Sequence, residues 1–162
     1  MSSHAHSNNG SPTNRAGQRP DVATAVKISL NPSFEHAHGA IASDLILLKG
    51  LDEALNEAML ESDLRLRYGL LPCIYAKLGR RQEADAAMAR EEREFAHVDA
   101  SGIAESHACR GEVDQALSWL ERAFQRHEPG AVDSKVDPML INLRNEPRFK
   151  KLLSDYKLSD GL

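Results

Sequence analysis

One pattern recurs three times in this chain and limits what it can fold into. Residues 47–59 read LLKGLDEALNEAM, residues 75–88 read YAKLGRRQEADAAM, and residues 107–120 read HACRGEVDQALSWL. Each copy ends a helical stretch near a Gly, passes through a few polar residues, and opens a second amphipathic stretch around an Ala. The anchoring residues are Ala54, Ala84 and Ala116, spaced by 30 and 32 residues. Self-similarity at such a period is the mark of stacked supersecondary units, because one unit cannot bury its apolar face alone. Gly79 and Gly111 suit a left-handed helix cap, where a Cβ is costly. Gly50 stands one place nearer its Ala, so its turn is expected to differ slightly. Apolar residues then return at helical spacing, as in Ala116, Leu117, Leu120, Ala123 and Phe124.

The composition agrees with packed helices. Hydrophobic residues are 41% of the 162, enough for a core, but aromatics are only 5%. Ala and Leu dominate the apolar set, which favours helices over sheets. The net charge of -4 offers no global basic field for nucleic acid or an anionic membrane surface. The longest apolar run, residues 45–48, is far too short to span a bilayer. Cys73 and Cys109 lie 36 residues apart on separate expected helices and read as free, partly buried thiols. Residues 1–20 are rich in Ser, Asn, Gly, Pro and His, and are expected to form a disordered tail. They contain no signal-like apolar stretch, which leaves a cytoplasmic location as the expectation.

These units resemble tetratricopeptide repeats, whose period is about 34 residues. In that family the first helix of each hairpin has a small residue at its eighth position and a large one at its eleventh. The second helix has Ala at position twenty, and Pro often closes the unit. Pro32 fits the end of a partial repeat at 21–33. Counting onward from it, Ala42, Leu45 and Ala54 fall on the small, large and Ala positions. The corresponding first-helix pairs are Pro72 with Tyr75 and Ala104 with His107. Pro72 is a departure, expected to kink its helix or to make it start late. The resemblance implies an all-α right-handed solenoid over residues 21–158. Full repeats run at about 34–64, 65–96 and 97–128, and a C-terminal cap occupies 131–158. Helices are expected at 21–30, 34–48, 52–64, 67–78, 81–95, 98–110 and 113–127. Pro129-Gly130 should break the last of these, with shorter helices following from Asp137 and from about Glu146. Met139, Leu140, Leu143, Phe149, Leu152 and Leu153 would cover the open end of the stack.

In this family the first helices line a groove that holds a peptide or a partner helix. Carried over by position, the groove residues are His36, Ser43, Ile46, Leu66, Cys73, Lys77, Ser101 and Glu105. The set lacks a cluster of basic and amide side chains for clamping a peptide carboxylate, since only Lys77 could serve. The expected role is therefore a non-catalytic protein-interaction module with a protein or peptide partner and no cofactor. A homo-oligomeric scaffold, or a regulatory piece of a larger signalling protein, are the alternatives. His4 with His6 and His36 with His38 invite a metal reading, but neither pair has further ligands at zinc-site spacing. A Cys73–His107 nucleophilic pair lacks an orienting third group. Trp119 reads as core rather than as a ligand platform.

Ala116→Leu is expected to overpack the third hairpin at a cost of roughly 1–3 kcal/mol. An unchanged thermal melting curve would show that this repeat register is wrong.

Overall fold

The structure is a computed structural model that describes residues 36–158. The expected tail, the helix at 21–30, Pro32 and the His4–His6 pair lie outside the described residues. Within them the chain is all-helical. The elements are α1 (Ala37–Leu47), α2 (Leu51–Leu60), α3 (Leu64–Lys77), α4 (Arg81–Phe95), α5 (Ala100–Cys109) and α6 (Val113–Gln125). After these come α7 (Pro129–Asp133), a 3₁₀ helix (Pro138–Leu143) and α8 (Pro147–Asp155).

The three expected hairpins are α1–α2, α3–α4 and α5–α6, and all three turn in the same way. After the last helical residue the chain makes a three-residue turn whose middle member is left-handed: Lys49 at φ 63°, Gly79 at 75° and Gly111 at 79°. The N–H of the third turn residue then donates back to a carbonyl one and a half helical turns earlier. These bonds run from Gly50 to Leu45, Arg80 to Tyr75 and Glu112 to His107, each at 2.9 Å. This is a Schellman cap, which satisfies carbonyls that the helix end would leave open. The first turn therefore does not differ, as its shifted Gly had implied. Lys49 takes the left-handed place and Gly50 follows it. The cap also ends α6 at His127 (φ 55°) and α8 at Lys157 (φ 58°), with return bonds from Glu128 to Ala123 and from Leu158 to Leu153.

The starts of α3 and α5 are set by acidic caps. The Asp63 carboxylate accepts from the N–H of Arg65 at 2.8 Å, and that of Asp99 accepts from Gly102 at 3.1 Å. For this reason α3 begins at Leu64, three residues earlier than expected. Pro72 neither delays nor interrupts it, and its ring is fully buried. Pro129 starts a new short helix, because the left-handed His127 has already ended α6.

The hairpins stack through their first helices. α1 packs on α3 and α3 on α5, while α2 and α4 each touch the first helix of the next hairpin. Small residues permit this approach: Ala42, Ala54, Ala104 and Ala116 are wholly buried and Ala84 nearly so. Seven of the ten residues of α5 are buried, which makes it the centre of the molecule. Leu140, Leu143, Phe149 and Leu153 join the α5–α6 core, beside Ala116, Leu120 and Phe124. Met139 goes elsewhere: the 3₁₀ helix reaches across α5, and Met139 packs on the first core, with Ala42 and Ile46. Trp119 lies partly buried against the core, with the Arg122 guanidinium 4.4 Å from its ring centre.

The cysteines are not free thiols. Cys73 of α3 and Cys109 of α5 form a disulfide, with Cα atoms 5.4 Å apart, well inside the range such a bond allows. A separation slightly longer than one repeat puts the two residues on neighbouring parallel helices, and small residues hold those backbones close.

Two substitutions test the caps in opposite directions. Gly111→Ala should cost about 1 kcal/mol, because a Cβ is disfavoured at positive φ. Lys49→Gly should stabilise by a similar amount, about 1 kcal/mol. Urea unfolding measures both, and a neutral Gly111→Ala would contradict the assigned turn.

Candidate functional site

α1, α3 and α5 run parallel, and their shared inner face carries two depressions. One lies at their N-terminal ends, with a volume of about 570 Å³, and its wall includes His36, Ser43, Leu66, Ser101 and Glu105. The other lies at their C-terminal ends, with a volume of about 480 Å³, and takes in Ile46 and Lys77. Seven of the eight groove residues expected from the sequence thus line one of the two hollows. The exception is Cys73, which is 0% exposed and closed off by its bond to Cys109. Its small side chain sits between helices rather than on their surface.

The C-terminal segment separates the hollows. The Asp137 side chain accepts from the N–H of Met139 at 2.7 Å and so starts the 3₁₀ helix. Asn142 Nδ2 donates to the Ala108 carbonyl at 2.7 Å, which ties the segment to α5. Pro138, Met139 and Ile141 then form a wall of the C-terminal hollow. Sequence reasoning assigned this segment only to the end of the stack. Its one signal was a polar Asn within an apolar run.

The hollows differ in charge. Asp99, Glu105 and Glu128 line the N-terminal one together with Arg65. Arg65 Nη1 meets Asp99 at 3.0 Å. Glu128 accepts from the N–H of Ser101 at 3.0 Å and so caps α5. The Glu105 carboxyl is held well above the usual carboxylate range, first by burial and then by the neighbouring Asp137 carboxyl. Lys49 and Lys77 line the C-terminal hollow, where no acidic side chain does.

A pair of equivalent glutamates explains the electrostatics beneath this face. Glu61 and Glu91 each stand seven residues after their anchoring Ala, and each points at a Gly of the preceding first helix. Glu61 accepts the N–H of Gly39 at 2.7 Å and that of Asp63 at 2.9 Å. A Cβ on Gly39 would lie 2.9 Å from the Glu61 carboxylate, so a larger residue would push that carboxylate aside. Burial pushes the Glu61 pKa up, but these N–H donors outweigh it and hold the carboxyl below the usual range. Glu91 lies against Gly69, where a Cβ would be 3.6 Å from its Oε1. Because α3 starts early, Gly69 is internal and its N–H belongs to the helical ladder. Glu91 is only 2% exposed and its Oε2 has no hydrogen-bond partner. Burial pushes its pKa up to about 9, with the Asp99 and Glu92 charges adding to the rise and a Ser106 hydrogen bond opposing it.

His107 fills the large-residue position of its hairpin, 5% exposed. Its ring nitrogens meet Glu112 at 2.6 Å and Glu92 at 2.9 Å. It is engaged there rather than with Cys73. His38 meets Glu57 at 2.7 Å, and His36 lies 3.8 Å from Asp63. Among the described residues no group of three or more His, Cys, Asp or Glu is placed to share a metal ion. No helix among them is long and apolar enough to cross a membrane. Comparison of the chain with protein-family models, curated proteins and solved structures gives no match.

The raised carboxyls predict a pH dependence. Glu91 and Glu105 stay protonated in the fold at pH values where the unfolded chain ionises. The unfolded state therefore binds fewer protons, and stability falls as pH rises. For Glu91 the fall runs from about 5 toward 9, by up to about 1.4 kcal/mol per unit, and Glu105 acts in the same direction. Glu91→Gln should flatten the fall. Urea midpoints at pH 5 and pH 8 test this, and a wild type more stable at pH 8 would refute it.

Proposed function

We propose that the chain is a tetratricopeptide-like interaction module that binds a protein segment along the inner face of α1, α3 and α5. The observation that supports this reading is the row of three parallel first helices, whose shared face carries two hollows along its length. A surface built this way offers side chains from three successive hairpins to one extended ligand. Both hollows fall within the size range of ligand-binding clefts, roughly 300–1,000 Å³.

The charge pattern narrows the partner. The N-terminal hollow is acidic on balance and the C-terminal one has only cations. A segment basic at one end and acidic at the other, with small apolar residues between them, complements both. The 3₁₀ helix divides the face, so the ligand crosses it at Asp137 and Met139.

Selection of a displayed peptide library on the full chain is the test. Binders should carry this charge order, and Leu66→Glu combined with Lys77→Glu should weaken them by at least about tenfold, or 1.4 kcal/mol. A library that yields no binder, or binders indifferent to both substitutions, would remove the proposal.

A further inference from the structure

Among the described residues, the two halves of the disulfide differ in access. Cys73 is 0% exposed, packed among Ala42, Leu70 and Ile74 in the first core. Cys109 is partly exposed and lines the C-terminal hollow. A thiolate opens a disulfide by attacking one sulfur in line with the bond while the other sulfur leaves, so access decides which sulfur is attacked. Among the described residues the open approach is through the hollow to Cys109, with Cys73 as the leaving group. The same hollow holds Lys49 and Lys77, and no acidic side chain lines it. Neither lysine takes part in an ion pair among the described residues. Both are free to draw in a carboxylate-bearing reagent.

We propose that Cys109 is a thiol-exchange site, at which a small anionic thiol of the glutathione class opens the Cys73–Cys109 bond from the C-terminal hollow. The incoming thiolate forms a new S–S bond to Cys109. The old bond breaks with its electron pair on Cys73, which takes up a proton from water. One disulfide replaces another, so no further oxidant or reductant is needed. The product carries a tripeptide in the hollow, its carboxylates beside the two lysines, and a buried thiol at Cys73. The adduct occupies the space between Lys77 and Met139 and removes the covalent tie between α3 and α5, which stay packed and joined by the Ser106–Gly69 hydrogen bond. This inference rests on the cysteine pairing and not on the peptide-binding reading, so either can fail alone.

The test uses the full oxidised chain, with glutathione and the cationic thiol cysteamine as probes. Intact mass and peptide mapping should place the adduct on Cys109 and none on Cys73. Glutathione should react roughly tenfold faster than cysteamine per thiolate, and Lys49→Glu with Lys77→Glu should abolish or reverse that preference. Alkylation of folded single variants gives a second readout. C73S should leave Cys109 open to iodoacetamide, whereas C109S should leave Cys73 unlabelled until the chain is denatured. An adduct on Cys73, equal labelling of the two variants, or equal rates with the two thiols would overturn the proposal.

Discussion

The fold depends on one repeated hydrogen bond, from the third residue of each hairpin turn to the carbonyl of Leu45, Tyr75 or His107. It closes the first helix, fixes a left-handed residue in the turn and aims the next helix back along the first. Because the turn has the same length each time, the anchoring Ala always arrives where two helices cross. Those alanines are buried to within 1%. A larger side chain there would separate the helices and lose the contacts on both sides. The cap is set by geometry more than by residue type, since Lys49 serves in the first turn where glycines serve in the others.

The same regularity shows how a small local shift changes chemistry. Glu61 and Glu91 occupy equivalent positions, yet their carboxyls move in opposite directions. The difference is where the facing helix begins. α1 starts two residues before Gly39, so the Gly39 N–H is unclaimed and binds Glu61. α3 starts five residues before Gly69, so that N–H is already used. In the third hairpin Ala123 stands at the glutamate position, and Glu128, from after α6, caps Ser101 instead.

The inner face is shaped by the segment after the third hairpin as much as by the hairpins. Tethered by Asn142 and lodged by Met139, the 3₁₀ helix divides one groove into an acidic and a basic hollow. The disulfide joins a cysteine sealed in the core to one that borders the basic hollow. Both the 3₁₀ helix and the disulfide are anchored on α5, through the Ala108 carbonyl and Cys109.

The sequence by itself determined the helical class, the three hairpins and their buried alanines, because those follow from local periodicity and turn chemistry. It also placed Ser43, Leu66, Ser101 and Glu105 on one face, since residues at matching helix positions share a face once the hairpins stack. Local signals were enough for each of these. Tertiary structure alone decided that Lys49 would adopt the left-handed turn, that Cys73 would be bonded and buried, and that residues 138–143 would cross the inner face. It also decided that Glu91 would stay protonated while Glu61 ionised. Each of these outcomes turns on which backbone or side chain arrives from a distant part of the chain, by proximity that local periodicity does not encode.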